Sequence, residues 1–505
     1  MMKNQQRIKR PNKFNNISVK CAVQTVFCLA AGLYSQQDVY AGVSIDSTQT
    51  QSPNVVIFLI DDLRVDVGSY GNQYIKTPNI DKLASEGVQF NKAYAQQAIC
   101  GPSRVSMLSG LRPETTGLYT IDKSGMLRPN QPNVVSMPQL FKENGYKTIS
   151  IGKVYHTSSD DQENWTTHIE KLKNFYAIPG NEEAKYAYEA GDVDDDFYKD
   201  GKVANDAVNI LEQVKDDKFL MVVGFSKPHL PFNAPKKYWD LYSHDQFEVP
   251  SRATPDNMPE LALTNWNELR SYGGIPKEGY VDDEGTKTLI HAYSATVSYM
   301  DAQLGRVMNA LEDLDLRKNT MVVFVSDQGY KLGEYGAWNK HSNMELDTRV
   351  PLIISREKNY EKRQDGVISN ALVENLDIFP TIVEATNLPM PVLDGQSLLP
   401  LLESPDMEWA DAAYSVFAKE AKAKMGVSVT DGTWRYSEWR ISETQEVLSK
   451  ELYLHDKSDI AVENVAGQAK YSDIEARLQK MLYRQYPLDA PSFNDRPVLE
   501  NNAAQ

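Results

Sequence analysis

Residues 55–62, with the sequence VVIFLIDD, decide the fold class. The first six residues are apolar without alternation, which is typical of a strand buried on both faces in a parallel sheet covered by helices. The run then ends in Asp61 and Asp62. Ligands of open α/β sheets bind beyond the carboxyl ends of the strands. The sequence therefore predicts an α/β fold with a ligand site after this strand.

Polar and charged residues also follow three later apolar runs of strand length, at residues 148–151, 219–225 and 321–325. The polar residues that follow these runs are Lys153, His156, Lys227, His229, Asp327 and Gln328. Amphipathic segments such as residues 137–144 and 292–314 lie between the runs and predict the covering helices. Because parallel strands end at one edge of a sheet, we expect a single shared site there.

The C-terminal part of the chain has a different pattern. Residues 426–440 alternate in polarity and are rich in aromatic and β-branched side chains, and residues 471–483 are typical of a terminal helix. We therefore predict a catalytic domain over residues 42–400 and a smaller domain of antiparallel sheet and helix over residues 401–505. We expect the tail of this second domain to be flexible.

The first 41 residues are typical of a secretory signal peptide. Six basic residues come first, an apolar stretch follows at residues 21–34, and a small-residue cleavage site ends at Ala41. This stretch is shorter than the ~20 residues that span a bilayer, so we expect no stable membrane insertion. We predict an exported protein, periplasmic or secreted, in which Cys100 is the single remaining cysteine and no internal disulfide forms.

The chain is strongly acidic. Its formal charge of −16 at pH 7 becomes about −21 once the six basic residues and Asp38 leave with the signal peptide. Such a surface repels nucleic acid at long range, and we exclude nucleic acid as a partner. A polyanionic substrate must therefore meet a local basic pocket, or be bound in salt that screens the repulsion.

The pentapeptide Cys100-Gly101-Pro102-Ser103-Arg104 stands just before the helical segment 105–111. Cys-x-Pro-Ser-Arg matches the sequence in which formylglycine-generating enzymes oxidise the thiol to an aldehyde. The chain resembles the type I, formylglycine-dependent sulfatases, and among them the iduronate-2-sulfatase-like branch. The other stretches that carry the resemblance are residues 61–64 (DDLR), 95–100 (AQQAIC), 227–231 (KPHLP) and 332–336 (LGEYG).

The resemblance implies an alkaline-phosphatase/sulfatase-like sandwich. In that fold a central mixed β-sheet lies between helices, and a smaller C-terminal α+β domain follows. The resemblance also implies two partners, a sulfated carbohydrate as substrate and a formylglycine-generating or other sulfatase-maturating enzyme.

A metal site is predicted at the strand ends. Two adjacent aspartates that close a buried strand repel one another without a cation, so Asp61 and Asp62 favour metal ligation over a solvated turn. The resemblance implies Ca²⁺, and the predicted ligands are Asp61, Asp62, Asp327, Gln328 and Cys100 in its formylglycine (3-oxoalanine) form. Gln328 departs from the relatives, which usually carry His or Asn there, but its amide oxygen is a suitable calcium ligand.

A sulfate ester is an anion that repels nucleophiles, so its hydrolysis needs surrounding cations and a nucleophile better than water. A hydrated formylglycine offers two hydroxyls on one carbon, of which one attacks sulfur and the other later expels sulfate. By resemblance, Arg104 and Lys153 hold this hydrate and Lys340 binds the sulfate. Lys227 is predicted to approach the substrate as well.

Histidines are the candidates for proton transfer, because a leaving alkoxide must be protonated near neutral pH. The resemblance places His156 beside the nucleophile and makes His229 the proton donor to the leaving oxygen. His341, next to Lys340, is predicted to line the substrate subsite. We interpret His291 and His455 as structural.

Two other functions remain open from the sequence. Phosphodiester and phosphonate hydrolases share this fold, and some of them also use formylglycine. If Cys100 stays a thiol, the protein is instead a glycan-binding pseudoenzyme. The resemblance includes enzymes that act on uronate 2-O-sulfates of glycosaminoglycans and others that act on algal polysaccharides. A bacterial-type leader and an acidic chain without disulfides favour an algal polysaccharide, with ulvan first and a marine bacterium as the source.

Overall fold

The structure is a computed structural model that describes residues 52–495 and 499, apart from residues 171, 172, 174, 263, 265 and 266. The predicted signal peptide over residues 1–41 lies outside the described residues, and so do Cys21 and Cys28. No helix in the described part of the chain combines the length and the apolar character that a bilayer crossing requires.

Fourteen strands are present in the described residues: β1 (Asn54–Asp61), β2 (Val88–Tyr94), β3 (Lys147–Gly152), β4 (Thr167–Ile169), β5 (Tyr188–Gly191), β6 (Phe219–Pro228), β7 (Phe232–Pro235), β8 (Thr320–Ser326), β9 (Arg349–Ser355), β10 (Val367–Glu374), β11 (Ala413–Lys419), β12 (Lys424–Thr430), β13 (Trp434–Ile441) and β14 (Val447–Leu454). Eight of them form the central sheet, in the order β10-β2-β9-β8-β1-β6-β3-β4. Strand β1 is parallel to β6 and β8, whereas β9 is antiparallel to β2 and β8. The central sheet is therefore mixed, as predicted.

The described part also contains fourteen α-helices: α1 (Pro78–Ser85), α2 (Cys100–Ser109), α3 (Pro113–Thr116), α4 (Leu127–Asn130), α5 (Met137–Glu143), α6 (Asn181–Ala184), α7 (Lys199–Val214), α8 (Lys236–Trp239), α9 (Asn267–Arg270), α10 (Asp283–Asp313), α11 (Glu345–Thr348), α12 (Ile378–Thr386), α13 (Leu399–Glu403) and α14 (Ser472–Gln485). The longest, α10, begins nine residues before the predicted segment 292–314. The carboxylate of Asp282 accepts a hydrogen bond from the Gly285 N–H at 2.8 Å, which caps the helix at this earlier point.

Strand β1 lies in the middle of the central sheet and is buried along its whole length. Its alternate residues enter two different hydrophobic cores. Phe58 packs in the core that contains Val297 of α10, and Ile57 packs in the core that contains Leu108 of α2. Burial of one such side chain contributes about 1.5–3 kcal/mol. The continuous apolar run thus gives the predicted layer of sheet between two layers of helix.

The C-terminal region forms a separate antiparallel sheet in the order β11-β12-β13-β14, and α14 packs against it. This confirms the smaller α+β domain. The segment 426–440, predicted as one alternating unit, is in fact parts of β12 and β13. A turn at Asp431 and Gly432 separates them, and Gly432 adopts φ +79°, which a glycine allows without strain. The boundary near residue 400 stays a prediction.

A buried ion pair joins this antiparallel sheet to the part of the chain that carries the central sheet. Arg435 of β13 donates from Nε to Glu345 Oε2 at 2.8 Å, and Tyr94 donates its hydroxyl to Glu345 Oε1 at 2.8 Å. Burial alone would raise the pKa of Glu345, but the Arg435 guanidinium holds this pKa at about 2. The Glu345 carboxylate therefore stays charged in the folded protein at neutral pH.

We expect Arg435→Ala to lower the free energy of unfolding by about 3–5 kcal/mol at pH 7, because it leaves a buried carboxylate without its cation. The stabilisation exists above the unfolded pKa of about 4.3 and is lost as the pH falls towards about 2, so the variant and the wild type should converge in acid. Urea unfolding at pH 7 and pH 3 measures this. Arg477→Ala, which removes a more exposed partner of Asp431, is the control and should cost less than about 1 kcal/mol.

Candidate active site

The carboxyl ends of four neighbouring strands meet at one edge of the central sheet. Asp61 closes β1, Lys153 follows β3, His229 follows β6, and Asp327 follows β8. Cys100 is the first residue of α2, whose ten residues are all buried. The structure thus brings together residues that are more than 200 positions apart in the chain.

Three buried carboxylates form the centre of the site. Asp61, Asp62 and Asp327 each present an oxygen, and these oxygens lie within 4.8 Å of one another. Burial raises the pKa of Asp327 to about 6, although Arg104 acts in the opposite direction. Burial also acts to raise the pKa of Asp61, but nearby cations, of which Lys153 is the strongest, hold it well below its usual range.

Each carboxylate has a cation beside it. Lys153 Nζ donates to Asp61 Oδ2 through a short contact, and Arg104 Nε donates to Asp327 Oδ2 at 2.7 Å. Lys340 Nζ donates to Asp62 Oδ2 at 2.7 Å. These three cations are buried, so their charges balance the three carboxylates inside the protein and not through solvent.

Cys100 lies directly against this cluster and is only 3% exposed. Its Sγ donates a hydrogen bond to Asp61 Oδ1 at 3.3 Å and accepts one from Gln328 Nε2 at 3.2 Å. Burial, reinforced by the negative charge of Asp61, raises the pKa of the Cys100 thiol. The residue is therefore a neutral thiol here, and a thiol in this state is a poor nucleophile.

The Gln328 side chain gives a direct test of whether the site suits a cation. Its Nε2 donates to Asp62 Oδ1 at 2.6 Å, whereas its Oε1 is buried and accepts no hydrogen bond from the described residues. Rotation of the amide by 180° exchanges the two atoms and turns Oε1 towards Asp62 and Cys100. Three carboxylates and one amide oxygen are the ligand types that a hard divalent cation prefers. The donor set fits such an ion.

His229 presents one nitrogen to the site. Its Nδ1 lies 2.7 Å from the carbonyl oxygen of Leu230, which only accepts, so Nδ1 carries a proton. Its Nε2 lies 3.8 Å from Asp62 Oδ2. The imidazole is 20% exposed, between the buried carboxylates and solvent. Nε2 is thus the His229 nitrogen that faces the carboxylates of the site.

The other predicted residues are placed around this centre. Lys227 Nζ is buried and donates to the carbonyls of Pro231 and, at 3.4 Å, of His229, so it holds the loop that carries His229. His341 adopts φ +79°, and its ring packs 6.0 Å from that of Phe417. His156 lines a small cavity together with Gly101. The predicted roles of these three residues in substrate binding and catalysis stay predictions.

The sequence matches known protein families over most of its length. Residues 53–388 match a family described as Sulfatase. The chain belongs to the sulfatase family. Residues 333–486 match a second description, N-sulphoglucosamine sulphohydrolase, C-terminal. The protein is accordingly a sulfuric ester hydrolase.

Curated relatives of this sulfatase include two iduronate 2-sulfatases. The mouse protein is 31% identical over an alignment of 522 positions that covers 85% of this chain and 93% of the relative. The human protein is 34% identical over 416 residues, 72% of each chain. An ulvan-active sulfatase of Formosa agariphila is 29% identical over 378 residues, 70% of this chain and 66% of the relative.

Solved structures confirm the sulfatase fold. A protein in complex with its substrate D-glucosamine-2-N,6-O-disulfate aligns with a TM-score of 0.71 at 22% identity, over 88% of this chain and 100% of the other. A phosphonate monoester hydrolase of Silicibacter pomeroyi aligns with a TM-score of 0.72 at 18% identity, over 88% and 97%. One of these proteins binds a sulfated sugar as its substrate and the other is a phosphonate monoester hydrolase, so this likeness shows the fold alone.

Sequence reasoning missed one residue of the sulfatase site, Glu268. It lies on the short helix α9, and its Oε1 is 3.1 Å from His229 Nε2 while its Oε2 is 3.3 Å from Lys340 Nζ. Burial acts to raise the pKa of Glu268, but Lys340 and His229 together hold it well below its usual range. No strand end or motif precedes Glu268 in the sequence, and only the folded loop brings it to the site.

Proposed function

We propose that this sulfatase removes sulfate from a sulfated polysaccharide or its oligosaccharides, with a formylglycine made from Cys100 and with Ca²⁺ as cofactor. The observation that carries the proposal is the position of Cys100. It stands within Cys-x-Pro-Ser-Arg at the start of α2, and its Sγ contacts Asp61 and Gln328 of the carboxylate cluster.

The charges of the site support a bound divalent cation. Asp61, Asp62 and Asp327 are balanced by Lys153, Arg104 and Lys340, so an added calcium ion would leave two positive charges, and this net positive charge would attract the singly charged sulfate ester. The ion would be held by the three carboxylates and Gln328 Oε1. It would polarise a sulfate oxygen and lower the pKa of the attacking hydroxyl.

The chain's own residues supply the remaining functions. A formylglycine hydrate at position 100 would provide the hydroxyl that attacks sulfur and the hydroxyl that later expels sulfate. Lys340, whose ammonium also contacts Glu268, would have an N–H group available for a sulfate oxygen once a cation took its place beside Asp62. His229 Nε2, with Nδ1 fixed on the Leu230 carbonyl, is oriented to give a proton to the leaving oxygen.

We favour an algal polysaccharide as substrate, with ulvan first and uronate 2-O-sulfates of glycosaminoglycans next. The ulvan-active relative supports the first choice and the two iduronate 2-sulfatases support the second. Export of the protein to the periplasm or the medium is part of the proposal, because a polysaccharide is degraded outside the cytoplasm. The basic and apolar pattern of residues 1–41 supports export.

The test begins with coexpression of the full chain and a formylglycine-generating enzyme. Peptide mass spectrometry then measures the aldehyde at Cys100, and sulfate release is measured from ulvan, carrageenan and heparan oligosaccharides with calcium present. We expect release from one of these classes. The protein expressed without the maturating enzyme is the matched control and should release none.

Two outcomes would overturn the proposal. In the first, the fully modified protein releases no sulfate but hydrolyses a phosphodiester or a phosphonate monoester. The protein would then be a phosphodiester or phosphonate hydrolase. A protein in which Cys100 remains a thiol under coexpression, and which binds a sulfated glycan without turnover, is a binding protein and not an enzyme.

A further inference from the structure

We propose that Glu268 determines substrate specificity: it favours a sugar ring with a free hydroxyl on the carbon next to the sulfate ester and disfavours a ring with a second sulfate there. This inference rests on the proposed function, because it assumes that a sulfated sugar enters the site. It adds a residue and a substitution pattern that the proposed function does not contain.

The position of the Glu268 carboxylate carries the inference. It spans two groups that face the substrate, with one oxygen 3.1 Å from His229 Nε2 and the other 3.3 Å from Lys340 Nζ. Its side chain is 27% exposed, whereas Asp61, Asp62 and Asp327 are almost fully buried. Glu268 therefore lies on the solvent-facing side of the carboxylate cluster.

The distance to His229 limits where the sugar lies. A proton donor must be within about 2.6–3.2 Å of the atom it protonates, so the leaving oxygen of the ester is that close to His229 Nε2. Glu268 Oε1 is 3.1 Å from the same nitrogen. The leaving oxygen and the Glu268 carboxylate are therefore both close to His229 Nε2. The substituent on the ring carbon next to the sulfate ester is then the substrate group that lies nearest to Glu268.

The charge of Glu268 then selects between substituents. A carboxylate only accepts hydrogen bonds, so it binds a hydroxyl, which donates, through a charge-assisted hydrogen bond. A second sulfate in the same place has no proton to donate and carries a like charge, which costs free energy when two anions are brought together. Lys340 reduces this repulsion but is already engaged by the first sulfate.

The experiment uses the mature, formylglycine-containing full chain. Turnover of 4-nitrophenyl sulfate, which has no neighbouring hydroxyl, reports the sulfatase reaction itself. Methyl α-rhamnopyranoside 3-sulfate and the corresponding 2,3-disulfate compete with it, and the ratio of their inhibition constants measures the selection. Glu268→Gln is compared with Glu278→Gln, which removes one charge from an exposed residue of the same loop region.

We expect the wild type and Glu278→Gln to bind the monosulfate about tenfold more tightly than the disulfate, and Glu268→Gln to bind the two within about twofold. If Glu268→Gln turns over too slowly, calorimetric titration with the same two glycosides gives the ratio. Equal binding by the wild type, or a ratio unchanged in Glu268→Gln, overturns the inference. A uniform fall in kcat with the ratio unchanged would mean that Glu268 only orients His229. Absence of any sulfate-ester turnover in the wild type overturns the proposed function as well.

Discussion

Replacing Cys100 by alanine is expected to lower kcat for sulfate-ester hydrolysis by at least about 10³-fold while the protein stays folded. The change removes the sulfur atom that hydrogen-bonds to Asp61 and Gln328, and with it the proposed site of formylglycine formation. The fold should tolerate the change because one small buried group is lost. Sulfate release under saturating substrate, together with the thermal unfolding midpoint, measures both effects.

Ser106→Ala is the matched control for this prediction. Ser106 is also buried on α2, but it is not part of the recognition pentapeptide. This variant should keep most of the activity. Cys100→Ala with activity close to that of the wild type would show that another residue or a water molecule attacks sulfur, and the assignment of the nucleophile would be wrong.

Chelation of divalent cations is expected to reduce the activity of the mature protein by at least about 100-fold. Without a cation, Lys153 and Lys340 are paired with Asp61 and Asp62, so they neutralise carboxylates and not substrate. The ion should also stabilise the folded state by about 2.7 kcal/mol at 100 times its dissociation constant. Activity and the unfolding midpoint are measured after EDTA treatment and again after addition of calcium.

A variant of Gln328 tests the contribution of calcium binding to activity separately from that of the other site residues. Gln328→Leu keeps the approximate size of the side chain but removes the buried Oε1. We expect it to weaken calcium binding about tenfold and to recover activity at high calcium concentration. If calcium restores neither activity nor stability to the EDTA-treated wild type, the three carboxylates do not form a catalytic calcium site.

The strand ends were predictable from the sequence because burial on both faces requires continuous apolar runs. Residues 55–60 and 321–325 fall inside β1 and β8, and these parallel neighbours bring Asp61 and Asp327 together. The resemblance to sulfatases agreed with this placement. The pairing of strands that are distant in the chain was beyond the sequence pattern, since the pattern gives the strands but not their order.

The sequence pattern did not predict which groups the individual side chains contact. The predicted approach of Lys227 to the substrate stays a prediction, and the sequence pattern did not show that its amine donates to the carbonyls of His229 and Pro231. Glu268 lies on α9, a helix of only four residues, which is too short for periodicity to distinguish one acidic residue from another. Both residues contact the loop that follows β6, and loops carry the weakest local signals.

The complete burial of α2 also limits when the proposed conversion of Cys100 to formylglycine could take place. Ser103 and Arg104, two of the residues that define the recognition sequence, have no exposed surface, and Arg104 is bound to Asp327 and to the Lys153 carbonyl. An enzyme that reads this pentapeptide cannot reach it once the sheet has formed. The proposed conversion of Cys100 to formylglycine would therefore have to precede folding, and a chain that folded first would keep the thiol until it unfolded again.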